Sequence, residues 1–173
     1  LASAHRTIGS PWPDVSDGAL LADLDDWLAP RLSGATGRAD LEGVDVVRAL
    51  RDLAGHHRLV ELDRVVPTTV RLFGGRTVVL DYSGEAPAIA VRAQDLYGTT
   101  THPTIAGGRV PLVVQVLSPA GRPIQVTSDL PGFWDGSWKE VRKEMAGRYP
   151  RHDWPADPAR AQPGARPRPR PRR

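Results

Sequence analysis

The stretch of residues 108–158 places the strongest constraint on the fold, because no other part of the sequence concentrates so much large apolar surface in so few residues. Two apolar runs flank a turn at residues 119–121, and an aromatic cluster follows them. Three of the five tryptophans lie in this stretch: Trp134, Trp138 and Trp154. Large aromatic side chains dominate the cores of small domains. We therefore expect this stretch to form the last hairpin of a β domain and a helix that seals it.

The second half of this stretch predicts a capped helix. Ser137, with Glu140 three residues later, is typical of a capping box at a helix N-terminus. Trp138, Val141 and Met145 recur at the spacing of one helical face, so they are predicted to pack inward. On this interpretation Trp138 belongs to the core.

An alternative interpretation concerns Trp134 and Trp138. Three basic residues lie beside them on the predicted helix: Lys139, Arg142 and Lys143. Aromatic rings interleaved with positive charge are typical of single-strand nucleic-acid binders, in which bases stack on the rings. The helical spacing favours a core position for Trp138, whereas both interpretations stay open for Trp134.

The region upstream of the aromatic cluster is rich in β-branched residues and turn signals, which indicates strands. Five strands are predicted, at residues 68–73, 76–82, 88–92, 110–117 and 122–127, with a short helix at 93–97. This order of strands around a single helix is typical of the OB-fold, a five-stranded Greek-key barrel. An open antiparallel sheet is the competing arrangement. The fold class is therefore predicted as α+β, with a small five-stranded antiparallel domain that is either OB-like or open.

Residues 1–66 predict a helical annex. The first 15 residues, with prolines on both sides of Trp12, are expected to form an extended arm that tucks the indole onto the body. Helices are predicted from Ser16 or Asp17 to Leu28, over residues 45–54 and over residues 58–66. The annex is acidic, because it carries 7 Lys/Arg and 11 Asp/Glu, a net charge of −4.

The remaining sequence divides at Pro158. Residues 67–158 form the predicted β domain with its capping helix, and residues 159–173 form a tail dominated by Pro-Arg alternation. Such a composition cannot bury a core, so the basic tail is predicted to be disordered. Residues 151–173 have a net charge of +5, whereas residues 67–150 have +2. The basic character comes mainly from the tail, so net charge alone does not identify the body as a nucleic-acid binder.

Motifs for catalysis and for metal or cofactor binding are missing from the sequence. It has no cysteine, no phosphate-binding G-x-x-x-x-G-K-[ST] loop, no G-x-S-x-G elbow and no histidine spacing typical of a metal site. We therefore assign no catalytic, cofactor-binding or metal-binding residue. There is also no secretory signal and no run of about 18 apolar residues, which predicts a cytoplasmic protein without a membrane partner.

Basic side chains are the candidate functional residues. Five arginines fall on or beside the predicted strands: Arg71, Arg76, Arg92, Arg109 and Arg122. Together with the three basic residues of the predicted C-terminal helix, they form a candidate path for a nucleic-acid backbone, because Lys and Arg neutralise phosphates. Scattered arginines on solvated faces are the ordinary alternative.

A linked series of short motifs in residues 67–158 resembles one protein family. The motifs read GRVP from Gly108, LSPAGRP from Leu117, VTSDLPGFW from Val126, EVRKE from Glu140 and GRYP from Gly147. Upstream, DYSG at residues 81–84 and QDLYG at residues 94–98 belong to the same pattern. In combination they resemble the C-terminal domain of HrpB-type bacterial ATP-dependent helicases of the DEAH class. The helices before residue 67 would correspond to the region that follows the motor in such helicases.

The resemblance implies a parent protein that hydrolyses NTP and acts on RNA or DNA strands, with ATP and Mg²⁺ bound by its motor domains. The phosphate loop and the Asp-Glu-Ala-His box of the motor are not in this sequence, and a first residue other than Met indicates a fragment or a processed product. We therefore expect a non-catalytic accessory module that packs on the motor domains, in cis or in trans, and helps guide single-stranded RNA or DNA. One alternative is a protein-interaction domain without nucleic-acid contact. The other alternative is a small enzyme. No catalytic motif in the sequence supports it, and whether the chain itself has enzymatic activity stays open.

Overall fold

The computed structural model describes residues 1–164, which divide into two compact units. The helical unit comprises Leu1–Val66, and the β unit begins at Pro67. The division falls at the residue where the sequence changes from helical periodicity to β-branched runs. A proline at this position cannot continue the preceding helix.

Short helices account for the regular structure of the helical unit. They are α1 (Ala2–Ile8), α2 (Asp17–Ala22), α3 (Leu24–Trp27), a 3-10 helix (Ala29–Arg31), α4 (Arg38–Glu42), α5 (Val46–Ala54) and α6 (His56–Val65). Side-chain caps begin two of them. The Ser16 hydroxyl accepts the Ala19 N–H of α2 at 3.4 Å. The Asp45 carboxylate accepts the Arg48 N–H of α5 at 2.9 Å, which satisfies a donor that a helix N-terminus leaves free.

Three predictions for the helical unit are corrected by the structure. Helix α1 forms where the sequence predicts an extended arm, because the prolines that exclude helix, Pro11 and Pro13, come only after it. Helix α4 is not predicted, since five residues carry too little periodicity. The single helix predicted over residues 16–28 is interrupted at Asp23, which separates α2 from α3. Trp12 is buried, as expected.

Seven strands lie within residues 67–164, and they form three separate sheets. The strands are β1 (Thr69–Arg71), β2 (Thr77–Val79), β3 (Ala88–Arg92), β4 (Thr104–Ile105), β5 (Val110–Pro111), β6 (Val113–Leu117) and β7 (Pro123–Thr127). Strands β1 and β2 form one antiparallel pair, and β4 and β5 form another. In the three-stranded sheet, the central β6 runs parallel to β3 and antiparallel to β7.

The mixed helix-and-sheet class is confirmed, but the predicted five-stranded antiparallel sheet is wrong, and the described residues contain no closed barrel. The chain between β3 and β6 crosses over through α7 (Ala93–Leu96), β4 and β5. A crossover of this length lets the chain return in the same direction, which a parallel pair requires. The predicted fourth strand is split because the Leu112 N–H donates to the Pro103 carbonyl at 3.0 Å. The next N–H, of Val113, donates to Pro87 at 2.8 Å.

An aromatic cluster dominates the core of the β unit. Trp138 is 1% exposed, and its ring centre lies 5.1–6.0 Å from those of Trp134, Phe133, Trp154 and Tyr97. The indole N–H of Trp138 donates to the Pro155 carbonyl at 3.0 Å. The core interpretation of Trp138 is therefore confirmed. Trp134 is buried as well, and its indole N–H donates to the backbone, so base stacking on either ring is excluded in this conformation.

Two helices seal the core. In α8 (Leu130–Asp135), where the sequence predicts only a turn, the Asp129 carboxylate accepts the Gly132 N–H at 3.0 Å and so caps the helix. Helix α9 (Trp138–Arg148) forms as predicted. The capping box at its start does not form, because the Ser137 side chain makes no hydrogen bond to the first turn.

The chain after α9 stays packed on the β unit as far as Gly164. A 3-10 helix (Pro158–Arg160) follows, and its Pro158 carbonyl accepts the Gly98 N–H at 2.9 Å. The Gly164 N–H donates to the Gln94 carbonyl at 2.8 Å, and Ala161 packs against the core. Disorder predicted from residue 159 therefore does not hold for residues 159–164, because backbone hydrogen bonds fix them. Residues 165–173 of the predicted tail lie outside the described residues.

Candidate nucleic-acid interface

Two of the eight predicted phosphate-binding residues are engaged within the β unit. Arg76 pairs with Asp95 of α7 at 2.7 Å, and the Asp95 side chain is only 13% exposed. Arg142 Nε donates to the Trp154 carbonyl at 2.7 Å. Both are charge-assisted hydrogen bonds, which are stronger than neutral ones. These arginines therefore tie separate elements of the β unit together, and the prediction that they contact phosphate has no support in the geometry.

Arg109 also serves the backbone. Its Nε donates to the Ala106 carbonyl at 3.0 Å. Ala106 has a φ of 54°, in the left-handed region that residues other than glycine seldom adopt. The guanidinium of Arg109 therefore helps to hold an unfavourable turn between β4 and β5.

The other five predicted residues are exposed and make no ion pair within residues 1–164. They are Arg71, Arg92, Arg122, Lys139 and Lys143. They lie on separate elements: the end of β1, the end of β3, the turn before β7, and α9. A continuous path through these five residues therefore stays a prediction.

Arg92 and Arg122 lie at the same end of the three-stranded sheet. Arg92 is in register with Leu117 of β6, and Leu117 is in register with Pro123, the residue after Arg122. Neighbouring strands are about 4.8 Å apart, so two strand spacings separate the backbones of the two arginines by about 10 Å. This end of the sheet therefore carries two exposed arginines whose backbones are two strand spacings apart.

Arg151, which no sequence motif marks, lies near Arg92. Partial burial and the positive charges of Arg151 and Arg92 lower the pKa of His152. Both arginines must lie near His152, because the influence of a charge on a pKa falls with distance in water. No local signal marks Arg151, because its neighbour Arg92 is far away in sequence. We call Arg92, Arg122 and Arg151 the basic sheet end.

A cleft that no sequence pattern predicts lies beside the β1–β2 hairpin. Its volume is about 310 Å³. Its lining comes from β1 and the hairpin on one side and from residues 99–104 on the other: Val70, Arg71, Leu72, Phe73, Thr99, Thr101, His102, Pro103 and Thr104. Phe73 is 72% exposed, whereas Thr99 is 8% exposed. A phenylalanine at a strand end and a threonine in a loop carry no sequence signal for a site.

His102 is a fixed wall of this cleft. Its Nδ1 accepts the Leu130 N–H at 3.1 Å. The proton is therefore on Nε2, which donates to the Leu112 carbonyl at 2.7 Å. Because both ring nitrogens are engaged with backbone, His102 contributes shape to the cleft.

The helical unit contains a cleft of about 410 Å³ in which charges of both signs neutralise each other. Arg31 pairs there with Asp52 at 2.6 Å. Across residues 1–164, no group of three or more His, Asp or Glu side chains is placed to hold a metal ion. In the same part of the chain, no helix has the length and apolar character needed to cross a membrane.

Comparison with known sequences identifies a family. The family model described as "ATP-dependent helicase C-terminal" (HrpB_C) matches residues 27–158. The ATP-dependent RNA helicase HrpB of Escherichia coli (strain K12) is 46% identical over 156 residues, which cover 90% of this chain and 19% of that protein. The resemblance inferred from the linked motifs is therefore confirmed.

Solved structures agree with this result. The crystal structure of the E. coli DExH-box NTPase HrpB matches with a TM-score of 0.72 and 42% identity, over 95% of this chain and 20% of that one. The crystal structure of the E. coli DEAH/RHA helicase HrpB matches with a TM-score of 0.59 and 39% identity, over 88% and 20% of the two chains. The chain spans about a fifth of the length of these relatives. It belongs to the HrpB family of ATP-dependent helicase C-terminal domains.

Proposed function

We propose that this chain is the accessory module of an HrpB-type helicase and that it guides single-stranded RNA or DNA along the basic sheet end. ATP and Mg²⁺ would bind to the motor domains of the parent protein. The observation that carries the nucleic-acid part of the proposal is the basic sheet end itself. Its three arginines come from three separate parts of the chain, and none of them is paired with a carboxylate within residues 1–164.

Unpaired arginines are suited to the backbone of a nucleic acid. Each guanidinium that neutralises a phosphate releases a condensed counterion, so the affinity falls as salt rises. For a single strand, each contact contributes about −0.7 to the slope of log affinity against log salt. Three contacts at the basic sheet end would therefore contribute about −2 to this slope.

A binding titration tests the proposal. The fluorescence anisotropy of a labelled oligouridine of about 12 nucleotides is measured against the full chain at about 50, 100 and 200 mM salt. The variant Arg92→Ala/Arg122→Ala/Arg151→Ala is expected to bind more weakly and to lose about 2 units of the salt slope. A labelled oligothymidine of equal length compares DNA with RNA.

The matched control removes three exposed arginines from the acidic helical unit: Arg48→Ala/Arg51→Ala/Arg64→Ala. It changes the net charge by the same amount, so an effect of total charge would appear equally in both variants. The five arginines of residues 165–173 are present in all of these proteins, so their contribution cancels. Equal affinities and equal slopes for the two triple variants would refute a role of the basic sheet end.

A protein-docking function is the second candidate, and an observation in the helical unit favours it. Several large apolar side chains there are exposed, among them Leu21, Leu41, Val47 and Val60. A contiguous apolar surface is typical of an interface, and the net charge of −4 in this unit would favour a basic partner. The tryptophans of this unit do not form such a surface, because Trp12 and Trp27 are buried.

The partner in this second candidate is the motor part of the helicase. Its test is calorimetry of the chain with the E. coli relative from which the matching fifth has been removed. Val47→Asp/Val60→Asp is expected to weaken this binding without changing oligonucleotide affinity. Binding that is unchanged by this substitution would exclude the exposed apolar side chains as the docking surface.

A further inference from the structure

The cleft beside the β1–β2 hairpin presents an aromatic ring to solvent. Phe73 is 72% exposed, yet one side of its ring is supported. A Cβ atom built on Gly98 would lie 2.8 Å from Cε1 of Phe73, so the ring sits directly against the Gly98 backbone. Single exposed apolar residues are common on protein surfaces. Exposure of Phe73 therefore indicates a binding site only together with the other groups of the cleft.

Thr99 is a buried polar side chain in the wall of the cleft, and its hydroxyl has no hydrogen-bond partner within residues 1–164. The residue is 8% exposed. Its carbonyl is already used, since it accepts the indole N–H of Trp134 at 3.1 Å. Buried hydroxyls are nearly always hydrogen-bonded in native proteins. The hydroxyl oxygen is itself buried, so Thr99 places an unsatisfied polar group inside the cleft wall and is not a surface that a ligand touches.

Arg71 supplies the charge. It lines the cleft, is exposed and makes no ion pair within the described residues. A Cβ atom built on Gly75 would lie 3.5 Å from its guanidinium nitrogen, so the side chain lies along the hairpin turn. The other arginine of the hairpin, Arg76, is neutralised by Asp95. Arg71 is therefore the cation of this cleft that is available to an anion.

We propose that this cleft binds one nucleotide of a single strand, with the base stacked on the open face of Phe73 and the phosphate on Arg71. The volume of about 310 Å³ is at the lower end of the range for small-molecule sites and suits a single nucleotide. The inference rests on the proposed function, because it names a second contact point for the strand that the basic sheet end guides.

The two contact points are close enough to serve one strand. Arg92 of the basic sheet end comes directly before α7, and Thr99 follows α7. Seven residues separate them, so they are at most about 25 Å apart. Single-strand binding proteins combine a basic groove with aromatic stacking positions in this way.

The test separates stacking from charge. With the anisotropy assay on the full chain, Phe73→Ala is expected to weaken oligouridine binding by at least about fivefold at every salt concentration, the lower limit for a lost base–aromatic stack. The salt slope stays unchanged because no ion is released. Arg71→Ala is expected to lower the slope by about 0.7. Phe73→Trp keeps a stacking surface and is expected to restore binding.

The matched control is Val79→Ala, which shortens a side chain that is 71% exposed on β2, outside the cleft lining. It is expected to leave the affinity unchanged. A strand with abasic positions provides a measurement without any substitution in the protein. The affinity of the wild-type chain should be lower for the abasic strand than for the normal strand. The factor should equal the one by which Phe73→Ala lowers the affinity for the normal strand. Phe73→Ala should bind the abasic strand and the normal strand with the same affinity.

The outcomes distinguish the two proposals. If Phe73→Ala and the abasic strand leave the affinity unchanged while the basic-sheet-end variant loses it, the nucleotide cleft is refuted and the proposed function stands. If the wild-type chain binds no oligonucleotide at about 50 mM salt, both proposals fail. If Phe73→Ala and Phe73→Trp weaken binding equally, the ring supports the hairpin and does not stack on a base.

Discussion

Replacing Trp138 with alanine removes the side chain around which the aromatic cluster of the β unit is packed. The indole is 1% exposed, lies within about 6 Å of four other rings, and donates its N–H to the Pro155 carbonyl at 3.0 Å. Removal of a buried aromatic side chain lowers the free energy of unfolding by about 3–5 kcal/mol, because apolar burial is lost and a cavity remains. A domain is stable by about 5–15 kcal/mol in total. The variant is therefore expected to be only marginally folded.

Urea unfolding followed by far-UV circular dichroism measures this loss. Trp138→Phe keeps most of the packing but leaves the Pro155 carbonyl without its donor. Its free energy of unfolding should therefore be lower by about 1–3 kcal/mol. This second variant keeps the argument testable if Trp138→Ala does not fold. Val126→Ala, at an exposed position of β7, is the control and should change stability by less than about 0.5 kcal/mol. A loss below about 1 kcal/mol for Trp138→Ala would contradict the buried position and would return Trp138 to the candidates for base stacking.

Three further predictions concern other parts of the β unit. Gly98→Ala, at a φ of 77° and with its new Cβ 2.8 Å from Phe73, should lower the free energy of unfolding by about 1–3 kcal/mol. In urea titrations this loss should exceed that of Gly107→Ala, which has a φ of 68° in open space, and equal losses would refute the packing argument. Burial, with a smaller effect of the Asp153 carboxylate, raises the pKa of Tyr97. Its contribution to stability is therefore complete below the ordinary tyrosine value of about 10 and is lost as pH rises above it. Unfolding curves between about pH 8 and pH 11 should show this loss, and an equal loss in Tyr97→Phe would contradict the assignment. Thr99→Val removes an unpaired buried hydroxyl and should raise the free energy of unfolding by about 1 kcal/mol, whereas a lower melting temperature would show that the hydroxyl has a partner.

The position of Trp138 shows how far local periodicity reaches. Trp138, Val141 and Met145 share one helical face, and the structure buries Trp138 and Met145 and packs Val141 against the same core. This could be predicted because the spacing of a helix is a property of a few consecutive residues. Short helices such as α1, α4 and α8 escaped prediction, since they are too short to show a period and depend on caps and packing.

The sheet shows where local patterns stop. Alternation located most strand residues, but alternation is the same for parallel and antiparallel neighbours. The parallel pairing of β3 with β6 is decided by the crossover through α7, β4 and β5. The predicted antiparallel sheet was wrong because pairing depends on contacts between residues that are distant in the chain.

The candidate site divides in the same way. The sequence supplied the types of residue that bind phosphate, and five of the eight predicted basic side chains are exposed without an ion pair within the described residues. Arg76 and Arg142 make internal contacts that could not be predicted, because their partners Asp95 and Trp154 approach them only in the folded chain. The grouping of Arg151 with Arg92 and the cleft beside Phe73 also arise only there.

By itself, the sequence determined the family, the division at residue 67, the acidic character of the helical unit and the burial of the aromatic stretch. These follow from composition, motif order and short-range spacing, which are written in consecutive residues. Only the tertiary structure decided which arginines make internal contacts, which ones lie at one end of the sheet, and that Thr99 lacks a hydrogen-bond partner. Those properties depend on distances between groups that are remote in sequence, and the packing of the core sets those distances.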